Sequence, residues 1–181
     1  MVDKVEAYMN NLPFGDTFSR VLVSADRGTK NAFMQQADEI ADIVKKQFPD
    51  AGINRLYTQF YYNTAGGGGS NNKEALTRVL SRGTNFWYYT GHGAISGIGS
   101  EALWDINDVN NVDYEVSPFG VFATCRFAYY DHISNDVMST MLKKNNGGII
   151  GGIGALREVY LNNNHVFGKL ATEAYLSLIH I

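Results

Sequence analysis

Two rhythms of apolar and polar residues alternate along this chain. Segments 20–25, 53–57, 86–90 and 119–124 are short, rich in β-branched and aromatic residues, and closed by turn-forming residues, which predicts strands. A run of small residues over 148–152 predicts a fifth. Between them the apolar positions recur at helical spacing. The clearest case is 32–48, where Phe33, Ala37, Ile40, Ala41, Val44 and Phe48 share a face before Pro49 and Gly52 stop the helix. Further helices are predicted over 3–9, over 72–80 with Asn72 as cap and Arg82-Gly83 as stop, over 135–144 and over 164–176. The last carries Val166, Leu170, Ala174 and Leu178 on one side. Residues 10–15 read as a turn, the glycine run 66–69 with Ser70 and Asn71 as a flexible surface loop, and 96–111 as loop with a helical turn near 105–110. Strands alternating with helices at this spacing predict an α/β fold, a mainly parallel sheet flanked by helices on both faces.

Composition narrows this picture little. A chain of 181 residues fits one domain, 1–181, with a core that needs neither disulfide nor metal. A net charge of -3 gives no reason to expect nucleic acid or an anionic membrane as partner. One cysteine excludes an internal disulfide. No run reaches the length of a membrane span and no signal-peptide pattern opens the chain. The protein is therefore either intracellular or a fragment whose export signal lies upstream.

The candidate chemistry sits at two predicted strand ends. His92 follows 86–90 in Thr90-Gly91-His92-Gly93, and Cys125 follows 119–124 in Ala123-Thr124-Cys125-Arg126. In open parallel sheets, reactive groups lie just beyond the carboxyl ends of the strands. If these two strands are neighbours, an imidazole and a thiol meet at one edge, as a cysteine nucleophile requires. Either residue alone would ordinarily be structural; the pair at matching positions points to catalysis. The backbone amides of Gly93 and Cys125 are candidates for an oxyanion hole. Asp26, ending the first strand, is the candidate for orienting His92, and equally a turn or cap residue. Asp38, Glu39 and Asp42 suit a solvated helix face. The glycine run lacks the Lys-Ser/Thr of a phosphate loop, which argues against a nucleotide domain. His132 and His165 lack partners at metal-ligand spacing, and Asp131, His132 and Asp136 are read as shaping a loop. Asp105 to Asp113 only loosely suggests a calcium loop. No cofactor is required, and structural calcium is allowed.

The segments Tyr89-Thr90-Gly91-His92-Gly93 and Phe122-Ala123-Thr124-Cys125 resemble the catalytic motifs of the gingipain family of cysteine peptidases. The likeness runs through Pro13-Phe14-Gly15-Asp16, the stretch from Gln35 to Asp42, Asn146-Gly147-Gly148-Ile149-Ile150 and Arg157-Glu158-Val159-Tyr160. Within the family it is nearest to the sortase-like C-terminal signal peptidases of the type IX secretion system. The resemblance implies a caspase-like fold, with Cys125 as nucleophile and His92 as catalytic histidine. It implies a thioester intermediate and an enzyme at the outer surface of a Gram-negative-type bacterium. Such an enzyme removes C-terminal sorting signals from exported proteins, works with other secretion components, and passes the acyl group to a lipopolysaccharide amine. It also implies that the chain is a catalytic portion of a longer protein, or a compact relative. Where relatives commonly carry acidic residues after the cysteine, this chain has Arg126 and Tyr130-Asp131-His132, and where relatives place an acid to support the histidine it offers Asp26 followed by Arg27. A non-catalytic caspase-like scaffold is the competing reading, against which stands the retention of both His92 and Cys125.

Overall fold

The computed structural model describes residues 2–10, 19–61, 68–100, 102–132 and 135–178. Helix α1 (Val2–Asn10) precedes β1 (Arg20–Ala25), α2 (Ala32–Gln47), β2 (Gly52–Tyr57), α3 (Gly68–Ser81) and β3 (Phe86–Thr90). Then come three two-residue strands, β4 (Gly93–Ala94), β5 (Gly97–Ile98) and β6 (Trp104–Asp105), and α4 (Ile106–Asn111). The chain continues through β7 (Phe119–Ala123), α5 (Val137–Lys143), β8 (Gly151–Gly154) and α6 (Leu161–Leu178). The five longer strands form one sheet in the order β2-β1-β3-β7-β8, every pair parallel.

Successive strand residues face opposite sides, and both sides are buried. Val21, Val23, Phe86, Tyr88 and Val121 pack with Ala37, Ile40, Val44, Ala171 and Leu176 of α2 and α6. Leu22, Trp87, Tyr89 and Phe122 pack with Leu76, Leu80, Val109, Val137 and Met141 of α3, α4 and α5. The predicted doubly covered parallel sheet is therefore present.

Four details differ from the sequence pattern. The glycine run does not end as a loop: α3 already begins at Gly68, so Asn72 lies a turn inside the helix instead of capping it. The fifth strand starts at Gly151, because Gly147 and Gly148 have φ of 113° and 67° and turn the chain over Met141. The expected loop 96–111 contains β5 and β6, which join β4 just before it in a three-stranded antiparallel sheet, β4-β5-β6, whose strands are too short to show a periodicity. Finally, the apolar side of α6 faces outward: Val166, Leu170 and Leu178 are exposed, whereas Gly168, Ala171, Thr172 and Leu176 are buried. Gly168 sits against the Tyr88 hydroxyl with no room for a Cβ, and Tyr175 stacks on Phe86 and Phe119 at 4.9 and 4.6 Å. A close approach of the helix through small residues outweighs burial of its larger ones. The predicted turn over 10–15 falls, apart from Asn10, outside the described residues.

At the amino end of the sheet, α1 is anchored by Lys4. Its ammonium donates to the carbonyls of Met141, Gly147 and Ile149 at 3.1, 2.8 and 2.8 Å. Among the described residues no helix is long and apolar enough to cross a membrane.

Candidate active site

Strand register brings the candidate residues to one edge. Thr90 of β3 pairs with Ala123 of β7, so His92 and Cys125 each stand two residues past a matched pair of strand ends. Ala25 of β1 pairs with Thr90 on the other side, which puts Asp26 at the same carboxyl edge.

The turn carrying His92 is tied down along its backbone. Gly91 donates its N–H to the carbonyl of Ala123 at 3.4 Å, and its carbonyl accepts the Thr124 hydroxyl at 2.8 Å. Its φ of 154°, and the Asp26 and Tyr89 side chains crowding it, leave room only for glycine. The His92 N–H donates to Asp26 at 3.3 Å, and the His92 carbonyl accepts the Tyr89 hydroxyl at 2.7 Å and the Gly99 N–H at 2.9 Å. Complete burial and the nearby Asp26 charge push the Tyr89 hydroxyl far above its ordinary range, so it remains a donor. Gly93 lies against the turn after β7: a Cβ there would stand 2.8 Å from the Cys125 carbonyl oxygen and closer still to the Thr124 side chain.

Asp26 was expected to accept a hydrogen bond from the imidazole of His92. Its carboxylate instead receives main-chain and hydroxyl donors. Oδ1 accepts the Arg27 N–H at 2.8 Å and the Thr58 hydroxyl at 3.3 Å, while Oδ2 accepts the His92 N–H and the N–H and hydroxyl of Ser100 at 2.9 and 2.8 Å. At 2% exposure, with five donors on two oxygens, the carboxylate organises the loops around His92 instead of its ring. His92 itself is exposed, with its ring edge-on to Phe33 at 5.2 Å between centroids. Among the described residues neither ring nitrogen is hydrogen-bonded.

Cys125 is half-buried, and its sulfur faces the backbone of Val159: Sγ lies 3.5 Å from the Val159 nitrogen, which donates to it, and 3.6 Å from the Val159 carbonyl, which accepts the S–H. A cleft of about 1030 Å³ opens on Cys125 and Gly93 and is bounded by Ile95, Ile106, Glu158, Val159 and Tyr160, with His92 outside its lining. Arg126 pairs with Glu158 at 2.5 Å along this cleft. Arg157 grips Asp131 with two hydrogen bonds, at 3.0 and 2.7 Å, lies 4.1 Å over the Tyr129 ring, and holds the Asp131 carboxyl below its ordinary range.

The sequence marks Arg157-Glu158-Val159-Tyr160 only as part of the family resemblance and gives no site role to Val159, Ser100 or the Tyr89 hydroxyl. Val159 meets the sulfur through its backbone alone, which leaves no residue signature, and Ser100 reaches Asp26 through its N–H as well as its hydroxyl. The motif around Tyr89 was noted, but its apolar strand context read as core.

Among the described residues no group of three His, Cys, Asp or Glu side chains gathers as a metal site. Asp105 caps α4, and the Lys73 ammonium lies 2.9 Å from Asp105 and 2.7 Å from Asp108. His165 pairs with Glu39 at 3.0 Å, and His132 packs on Tyr129 at 5.0 Å between centroids.

Comparison with known proteins agrees with this fold. The family model described as Peptidase family C25 matches residues 1–179. Among solved structures, the Arg-specific cysteine proteinase gingipain R is similar at 14% identity and a TM-score of 0.69, over 90% of this chain and 37% of that one. A structure titled only as a protease is similar at 15% identity and a TM-score of 0.73, over 93% of this chain and 36% of that one. The complex of Porphyromonas gingivalis RgpB pro- and mature domains is similar at 12% identity and a TM-score of 0.68, over 96% of this chain and 42% of that one. The chain thus spans roughly two fifths of these structures, whose likeness shows the fold. No curated protein matches it.

Proposed function

Because the chain belongs to Peptidase family C25, the gingipain family of cysteine-type peptidases, we propose that it cleaves peptide bonds with Cys125 as nucleophile and His92 as its base. The observation that carries this reading is the matched exit of the two residues from neighbouring parallel strands. His92 takes the thiol proton, and the sulfur attacks the scissile carbonyl. The same imidazolium then protonates the departing amine, leaving a thioester on Cys125. Water or a second amine resolves that thioester, so hydrolysis and transpeptidation share one intermediate.

The oxyanion of the tetrahedral intermediate has a candidate donor in Gly93. The bond from the Gly99 N–H to the His92 carbonyl makes residues 92 and 99 a hydrogen-bonded pair of the β4–β5 ladder. Such pairs alternate, so the next pair, Gly93 and Ile98, is non-bonded, and the Gly93 N–H points away from β5. Gly93 packs against Cys125, whose own amide is the second donor of this proposal. The resemblance to the sortase-like C-terminal signal peptidase of the type IX system, PorU, supports a finer reading. In it the substrates are exported proteins with C-terminal sorting signals, the acceptor is a lipopolysaccharide amine, and the enzyme works at the outer surface with other secretion components.

The test uses Cys125→Ala and His92→Ala with a peptide electrophile and a sorting-signal substrate. We expect stoichiometric labelling of the wild type at neutral pH, none of Cys125→Ala, and turnover reduced at least about 1,000-fold in both variants with the fold kept. Added amines should divert product from acid to amide. Unchanged turnover in Cys125→Ala would overturn the reading, and an unlabelled but folded wild type would favour a scaffold.

A further inference from the structure

The connection between β8 and α6 does more than border the cleft. Residues 155–159 run antiparallel to 124–128: the Arg126 N–H donates to the Arg157 carbonyl and the Ala128 N–H to the Ala155 carbonyl, both at 3.1 Å. Side chains brace this ribbon, through the Arg126–Glu158 pair and the double hydrogen bond from Arg157 to Asp131. The ribbon ends at Val159, whose N–H and carbonyl both meet the Cys125 sulfur.

These two contacts suit opposite protonation states. A carbonyl accepts only from the neutral S–H, whereas an N–H gains strength as the sulfur becomes anionic. We propose that the backbone N–H of Val159 is a further catalytic group, which holds the Cys125 sulfur and stabilises its negative charge. The assignment rests on Cys125 as nucleophile. The proton leaves Sγ for a ring nitrogen of His92, and the electron pair stays on sulfur. The bond to the Val159 carbonyl is given up, and the bond from the Val159 N–H remains. Collapse of the thioester later returns the anion to the same donor. The ribbon thereby couples the nucleophile to the wall of the substrate cleft, since Glu158, Val159 and Tyr160 line that cleft.

Replacing Val159 with its α-hydroxy acid analogue by semisynthesis removes the N–H and keeps the side chain. Iodoacetamide alkylation of Cys125 then reads the thiolate without any peptidase assay. At pH 7 we expect alkylation to slow about fivefold, a charge-assisted bond partly offset by the greater nucleophilicity of a more basic thiolate. The rate-against-pH profile should move to higher pH and rise above the wild-type rate once the thiol is fully ionised. A loss equal at all pH values would mean altered access, and no loss would mean no bond; either overturns the assignment. On the unmodified protein, the ¹⁵N–¹H signal of Val159 should shift as Cys125 ionises and stay still in Cys125→Ala. A Val159 signal indifferent to that ionisation would overturn it as well. Absence of turnover on peptides, with these alkylation results intact, would count against the peptidase reading and leave the Val159 contact standing.

Discussion

At the carboxyl edge of the sheet Asp26 is a buried anion that gathers five donors from β3's exit, the Ser100 loop, Thr58 and its own neighbour. At the amino end Lys4 is a buried cation that gives its three protons to three carbonyls around the α5–β8 connection. Both follow the rule that a buried charge must be matched by polar groups. They differ in what those groups belong to. One of Asp26's donors is the peptide of His92, so the anion sets the position of the proposed base. The carbonyls that receive Lys4 lie at the other end of the strands, so the cation fastens a helix and nothing chemical. The comparison separates a buried charge that serves position from one that serves assembly.

The largest effect should come from the carboxyl edge. Gly93→Ala places a methyl against the Cys125 carbonyl and the Thr124 side chain. We expect kcat/KM to fall on the order of 100-fold with the circular dichroism spectrum unchanged. Near-normal kinetics would show that this packing does not position the nucleophile. Asp26→Asn comes next, since its amide N–H₂ opposes groups that are themselves donors. Urea unfolding should show a loss of about 2 kcal/mol, with kcat reduced roughly tenfold. Full stability joined to lost activity would return Asp26 to the role of an imidazole partner.

Lys4→Met should cost a similar 2 kcal/mol or so of stability, because three carbonyls lose their donor. In contrast to Asp26→Asn, kcat/KM should stay within about twofold of wild type, and a clear drop in it would break the comparison. The smallest effect is one of pH. Burial, and then the charge of Lys144, lower the pKa of Lys4 from 10.5 to about 8. Between pH 8 and 10.5 the unfolded chain therefore binds more protons than the folded one, and stability rises with pH through that window. Relative to Lys4→Met, the wild type should gain on the order of 1 kcal/mol across it. A difference in stability that is flat with pH would sink this account.

Strand bounds were the most legible feature. Segments 20–25 and 86–90 coincide with β1 and β3, because a short, apolar, β-branched or aromatic run closed by turn residues already specifies an extended buried segment. The placement of His92 and Cys125 at strand ends was legible for the same reason: each follows such a run, and glycines flank the histidine. Strand order was decided elsewhere. That β3 lies between β1 and β7, so that Thr90 meets Ala123, depends on which surfaces α2, α6 and the α3–α5 layer can cover together. The outward face of α6 shows the limit of periodicity, since Val166, Leu170 and Leu178 mark an apolar side without saying whether larger or smaller residues will meet the sheet. The partners of Asp26 and the grip of Val159 on Cys125 were invisible for a different reason. The N–H groups of His92, Ser100 and Val159 come from tens of residues away, and every residue carries the same N–H and carbonyl, while the Thr58 and Ser100 hydroxyls are tied to Asp26 by no local spacing. Local sequence determined which segments extend, coil or turn and which side chains follow the strand ends. Only the tertiary structure decided which main-chain groups would surround them, because hydrogen-bond partners distant in sequence are chosen by packing.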